Sequence, residues 1–361
     1  MDKQVENAFQ TFVPIILSNE RLTSIGRQLV SKSAEQNYSN YRQVIDYVSQ
    51  HDISSNKQLG RIFVLCGASR TGSTLLYNLL AQDPKSRAPT LFDMNHPIPP
   101  HSRSDTFQQQ QTTTTTTTSV EVINYEKERN ASHPSFEYEE DVLILHHAGL
   151  FMPFLEPEQS RTISDWFYDR TNKDFLYEYH RIFLQMLNNV DRPESHWILK
   201  SPHHMYNLDA LLRQYPSACL VMTHRQLEQV VPSSIRLALS FASIYFEEKK
   251  QQTVIDRRLH MTDVQLDRIV EFRQNHSEIP VYDIFYDDLV NDPISTLQRF
   301  YEHFQLEWSN QFQEKVEQWL IDNPQGKQGR NIYSLEEFQL TKQQIQQRYH
   351  KYNQMFFPSC C

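Results

Sequence analysis

The run CGASRTGSTLL, Cys66 to Leu76, has the spacing of a phosphate loop: Gly67, four residues, Gly72, then Ser73 and Thr74. The backbone N–H groups of a glycine-rich turn that feeds a helix form a cradle for an anion, and the helix dipole adds to it. A triphosphate loop carries lysine where Ser73 stands. Here Arg70 lies inside the loop instead, with a fixed charge and a two-pronged donor for oxyanions. Anion binding is therefore the reading of Arg70, Thr71, Gly72, Ser73 and Thr74, with an ordinary strand-to-helix turn as the alternative. The chain has only seven glycines. A pair at this spacing marks backbone that approaches something closely or takes positive φ.

Other residues able to do chemistry fall just after apolar runs. Asp93 and His96 follow RAPTL, and either carboxylate or imidazole could take a proton, although Asp93 fits a cap or turn equally well. Lys200 closes HWILK and is followed by Ser201-Pro202, a helix start, so its ammonium and a helix N-terminus share one place. His203-His204 and His146-His147 are adjacent pairs without further spaced ligands, which is poor support for a metal. Arg225 closes ACLVMTHR, and Ser233 follows eight residues later. Pro232 must kink that helix or restart it, which would leave N–H groups near Ser233 for an anion. Lys327 and Arg330 sit with Gly326 and Gly329 in a basic loop suited to closing over an anionic ligand. No strand ends on the single acidic residue that would hold Mg²⁺ beside a triphosphate. The set fits a ligand with anionic groups at two separate places.

The elements that must position these residues alternate. RIFVLC (61–66), RAPTL (87–91), HWILK (196–200), ACLVMT (218–223) and VYDIFY (281–286) read as strands. Helical segments lie between them, including 174–190 and 204–215. Such alternation predicts an α/β fold, a central and mostly parallel sheet covered by helices on both faces, with ligands outside the carboxyl ends of the strands. Thr262 with Gln265, and Ser334 with Glu337, have capping-box spacing; Asp292-Pro293 opens a helix. Residues 1–58 read as a polar helical extension, 59–350 as the main domain, and 351–361 as a tail ending in Cys360-Cys361. QQQQTTTTTTTS (108–119) is a low-complexity loop insertion that cannot bury a core. Net charge is −9, which argues against a nucleic-acid surface. No apolar run reaches the roughly 18 residues of a membrane span. No signal peptide is read at the start, and the cysteines lack disulfide or metal spacing, so a cytoplasmic location is expected.

Several of these segments resemble one family. GASRTGSTLLYNLLAQDP looks like the 5′-phosphosulfate loop of sulfotransferases that use 3′-phosphoadenosine 5′-phosphosulfate (PAPS). THRQLEQVVPSS looks like their 3′-phosphate motif. LKSPHHMYNLDALLRQYP, DDLVNDPISTLQRFYEHFQL and GKQGRNIYSLEEFQLT are similar to the bacterial-type branch, over roughly residues 59–350. The resemblance implies a three-layer P-loop-type fold and transfer of a sulfuryl group from PAPS to a hydroxyl or amine, without a metal. It implies that Arg70, Thr71, Gly72, Ser73 and Thr74 hold the 5′-phosphosulfate. Arg225 and Ser233 would hold the 3′-phosphate, with Lys327 and Arg330 as closing groups. Lys200 matches a lysine that stabilises charge on the sulfuryl group or the leaving oxygen. Asp93 falls where several members carry a glutamate base, and His204 is the second candidate. The acceptor, whether a small molecule, glycan or lipid, is not legible. A P-loop kinase or hydrolase, and a non-catalytic adenosine-bisphosphate-binding protein, are the competing readings.

Overall fold

The structure, a computed structural model, describes residues 1–51, 58–103, 136–247, 250–324 and 334–358. Its centre is a five-stranded sheet, every pairing parallel, in the order β2-β3-β1-β4-β5. The strands are β1 (Arg61–Leu65), β2 (Ser86–Arg87), β3 (His196–Lys200), β4 (Cys219–His224) and β5 (Val281–Phe285). β3 is buried at every position, as expected of a strand covered on both faces. Alternation along β1 separates the two layers. Ile62 and Val64 face one core with Leu199 of β3 and the helix Asp174–Val190. Phe63 and Leu65 face the other, built with the helices Ser73–Leu80, Pro293–His303 and Asn310–Asp322. This is the expected three-layer α/β arrangement.

Four of the five strands stand where the hydrophobic runs place them, within a residue or two. RAPTL does not. Its pairing stops at Arg87, because Pro89 has no N–H for a ladder. Thr90 then caps a short helix, Leu91–Asn95, through a capping box with Asp93. The expected box of Thr262 and Gln265 is absent too: both lie inside the helix Gln251–Asn275. The Asp292 cap is present, accepting from the Ser295 N–H at 3.1 Å, with Pro293 in the first turn. A capping box at Thr341 and Gln344 opens the helix Lys342–Arg348.

The first two helices, Asp2–Leu17 and Ser24–Gln50, pack into the same core as the sheet. Val5, Tyr41 and Val44 share one apolar cluster with Ile62 and Val64. Gly26 allows the second helix to lie against the end of the helix Leu227–Tyr245, since a Cβ there would stand 2.5 Å from the Tyr245 carbonyl oxygen. Cys66 is buried and Cys219 half-buried, both as free thiols. Among the described residues no helix is long and apolar enough to cross a membrane. The threonine tract, Lys327, Arg330 and the terminal cysteine pair lie outside the described residues.

Candidate active site

The strand order reverses direction at β1, with β3 on one side and β4 on the other. The crevice at such a switch point is where open α/β sheets bind ligands. The loop Cys66–Gly72 fills it. Gly67 has no room for a side chain, because a Cβ would stand 2.7 Å from the backbone nitrogen of Thr223 on β4. Arg70 has a left-handed backbone at φ 68°, a strain of the kind that concentrates at functional sites. Gly72 follows at φ 95° and opens the helix Ser73–Leu80, its Cα against the ring of Tyr286. The Thr71 side chain is turned inward. It is fully buried, donates to the Ala68 carbonyl at 2.6 Å and lies 2.5 Å from the Thr223 hydroxyl. Its hydroxyl therefore braces the loop.

Lys200 is paired in register with Leu65, so the end of β3 stands beside the start of the loop. Its Nζ donates to Thr74 Oγ1 at 3.0 Å and to Glu140 Oε1 at 2.7 Å. A cation thus sits at the first turn of the loop helix, where that helix already favours an anion. Arg225 follows β4. Its guanidinium lies 4.0 Å above the Tyr286 ring, and it donates to Gln229 Oε1 at 3.0 Å and to the Arg70 carbonyl at 3.4 Å. Ser233 lies in a continuous helix, Leu227–Tyr245, that carries Pro232 inside it. The helix does not restart, so there is no second N-terminus beside Ser233. What Ser233 presents is its hydroxyl, which accepts from Arg70 Nε at 3.0 Å. Arg70, Arg225 and Ser233 therefore form one hydrogen-bonded group, and Lys200 with Thr74 a second, Thr74 lying four residues further along the chain from Arg70. Gln265 ties the loop down from the side, accepting from the Ser69 N–H at 3.2 Å and donating to the Pro202 carbonyl at 2.7 Å.

The two candidate bases are placed differently from the expectation. Asp93 is not at a strand end. It is the third residue of the capped helix, 3% exposed, with Oδ2 accepting from the Thr90 N–H at 3.0 Å. Burial pushes its carboxyl above the usual range, against the pull of Arg87. His204 is fully buried, with Nε2 2.9 Å from Asp141 Oδ1 and Nδ1 3.1 Å from the Tyr177 hydroxyl. Asp141 also lies 3.3 Å from His180 Nε2. Burial alone would raise the Asp141 carboxyl, but the two imidazoles outweigh it and hold it low. Asp93 and His204 do not line the cleft, nor do the buried Lys200 and Ser233, whereas Glu140, next to Asp141, and His203, next to His204, do. Glu140 faces Lys200 and stands 3.7 Å from His203 Nδ1.

A cleft of about 1270 Å³ opens over the Cys66–Gly72 loop. Arg70, Gly72, Ser73, Thr74 and Arg225 line one end. The rest of the lining mixes apolar residues such as Ala34, Leu143, Phe151, Phe241 and Val254 with charged ones such as Lys32, Glu158 and Arg257. Among the described residues no group of three His, Cys, Asp or Glu side chains is arranged to hold a metal ion.

Residues 62–310 match the family model described as the sulfotransferase family. The chain belongs to that family. This sulfotransferase is 26% identical over 291 residues to the omega-hydroxy-beta-dihydromenaquinone-9 sulfotransferase Stf3 of Mycobacterium bovis and of Mycobacterium tuberculosis, covering 78% of this chain and 70% of theirs. Its fold is that of sulfotransferase STF9 from Mycobacterium avium, with a TM-score of 0.81 at 22% identity, over 99% of this chain and 96% of that one. Sulfotransferase STF1 from Mycobacterium tuberculosis superposes with a TM-score of 0.69, also at 22% identity, over 97% and 93% of the two chains. The bacterial-type branch, the P-loop-type fold and the sulfuryl-transfer activity expected from the motifs all hold for this sulfotransferase.

Proposed function

We propose that this sulfotransferase uses PAPS as donor and transfers its sulfuryl group to the hydroxyl of an apolar acceptor. The observation that carries the reading is the junction of two anion-binding motifs: Arg70 Nε on Ser233 Oγ, and Arg225 on the Arg70 carbonyl. A ligand with one anionic end at the loop helix and a second phosphate beside Arg225 meets both. Arg70, Gly72, Ser73 and Thr74 receive the 5′-phosphosulfate, and Thr71 holds the loop in shape. Arg225 and Ser233 receive the 3′-phosphate; Lys327 and Arg330, which lie outside the described residues, are further candidates to bind it. Arg225, stacked on Tyr286, is oriented before the ligand arrives.

Glu140 takes the place of Asp93 and His204 as the base. It faces the cleft beside the helix start, within reach of an acceptor hydroxyl that is itself aligned on sulfur. The acceptor oxygen forms a bond to sulfur as its proton passes to Glu140, and the bond from sulfur to the donor's 5′-phosphate oxygen breaks. The charge left on that oxygen is met by Lys200, by Arg70 and by the first turn of the loop helix. Positioning and fixed charge supply the catalysis. The apolar residues of the lining support a hydrophobic acceptor, and a relative of this chain is named for a quinone lipid acceptor. The free thiols Cys66 and Cys219 suit a reducing compartment such as the cytoplasm.

The test is thermal. Adenosine 3′,5′-bisphosphate should raise the melting temperature of the full chain in proportion to its occupancy, while ATP with Mg²⁺ should do little. Stabilisation by ATP-Mg²⁺ alone would favour a kinase or hydrolase and remove the PAPS reading. Binding of the bisphosphate without transfer from labelled PAPS to any hydroxyl in a broad screen would favour a non-catalytic role.

A further inference from the structure

The cleft holds cations that the donor chemistry does not use. Arg258, on the helix Gln251–Asn275, lines the cleft. Among the described residues its guanidinium forms no ion pair; its one hydrogen bond is from Nη1 to the Met261 thioether at 3.1 Å, and Nε is buried with no partner. The other arginines along this wall have polar partners. Arg257 donates to the carbonyls of Phe154 and Glu156 at 3.2 and 3.0 Å. Arg21 meets Glu158 at 2.6 Å, and Arg161 meets Asp165 at 3.4 Å. Arg258 is half-buried, and a buried Nε without a carboxylate partner is costly, a cost that a sulfur atom offsets little. Glu140 acts on Arg258 only through its charge, without an ion pair, and it is already engaged by Lys200 at 2.7 Å.

The helix places this cation on the acceptor side. Gln265 of the same helix touches the donor loop at Ser69. Arg258 lies two turns earlier, about 10 Å along the axis, and Val254 of the apolar wall one turn earlier again. The face thus runs from donor loop to Arg258 to apolar wall. We propose that Arg258 forms an anion subsite for the acceptor, so that the acceptor is an amphiphile bearing, besides the hydroxyl that is sulfated, an acidic group such as a carboxylate or a phosphate ester. The proposal rests on the reading of the cleft as an acceptor site beside the donor loop.

The experiment is a binding comparison on the full chain, with and without saturating adenosine 3′,5′-bisphosphate. The probes are ω-hydroxy fatty acids, ω-hydroxyalkyl phosphates and the matching α,ω-diols of graded length, titrated by calorimetry. The best-fitting acid or phosphate should bind about tenfold or more tightly than its diol, the worth of one charge-assisted contact. Arg258→Gln should abolish that preference and leave bisphosphate affinity unchanged. Arg258→Lys should keep a preference for the charged probes, which guards against a Gln variant that does not fold. Whichever of carboxylate and phosphate binds more tightly identifies the head group. Equal binding of acids, phosphates and diols to the wild type would overturn the subsite. So would loss of bisphosphate affinity in Arg258→Gln, since Arg258 would then belong to the donor. Absence of bisphosphate binding by the wild type would instead remove the donor reading, and the titrations on the free chain would still decide the subsite.

Discussion

The two ends of the cleft are built in different ways. At the donor end Arg70, Lys200 and Arg225 each lie at or within a few residues of the carboxyl end of a strand, and the register of Leu65 with Lys200 and with Val221 fixes their relative positions. At the acceptor end Ala34, Leu143, Phe151, Phe241 and Val254 come from separate helices and turns that no ladder connects. Rigid sheet geometry thus controls where charge is met during transfer. Two of the wall's helices also reach the donor end, Leu227–Tyr245 through Ser233 and Gln251–Asn275 through Gln265, so the wall is anchored to that geometry at those two points. Glu140 and Lys200 are the seam, one from each side, held 2.7 Å apart.

The sharpest way to break this division is to cut the seam. Glu140→Gln keeps the shape and removes the base, so kcat should fall by about 10²- to 10⁴-fold while calorimetric affinity for adenosine 3′,5′-bisphosphate stays the same. Lys200→Ala should lower kcat by about 10²- to 10³-fold. The double variant should be little worse than the weaker single one, because the pair acts as a unit. A Glu140→Gln enzyme with near-normal turnover would place the base elsewhere.

A smaller effect is expected wholly within the donor end. Arg225→Ala should weaken bisphosphate binding about 10- to 100-fold through the loss of a charge-assisted contact. At saturating PAPS its kcat should stay within a few-fold of wild type. A large loss of kcat with unchanged affinity would show that Arg225 acts on the transferring group, and the two ends would no longer separate by role.

The same division explains what the sequence revealed. The donor end was legible because each of its residues follows an apolar strand closely, and motif spacing survives as spatial spacing when the strands are parallel and in register. Thr71 belonged to the right motif, but its side chain faces Thr223, a contact made across strands and invisible along the chain. Glu140 was hidden in the run Glu139-Glu140-Asp141 before VLILHH. Successive residues at a helix start point in different directions, and only packing decides that Asp141 turns inward to two histidines while Glu140 faces the cleft. Tyr286 stood as the last residue of a run read as a strand, although it opens the next helix and is the platform under Arg225. RAPTL misled because its apolar character was mistaken for strand length. The Pro89 and Thr90 signals for an early stop and a cap were present, and they brought Asp93 into a capping box.

The smallest effect concerns that capping box, and it tests whether Asp93 has any part in the chemistry. Asn at position 93 keeps an oxygen to accept from Thr90, so Asp93→Asn should leave turnover within about twofold of wild type. Its stability should depend on pH in a defined direction. Burial raises the Asp93 carboxyl, and burial followed by the charge of Asp93 pushes Glu137 up to about 7. A carboxyl raised by folding contributes stability that is fully present below its unfolded value, about 4, and is lost as pH rises through its folded value. The wild type should therefore lose this contribution between about pH 4 and pH 7. Asp93→Asn removes one of the two charges and relieves the other. Its melting temperature should exceed that of the wild type near neutrality, with the advantage gone in acid. Collapse of turnover in Asp93→Asn at an unchanged melting temperature would return Asp93 to the role of base and move the seam of the cleft away from Glu140.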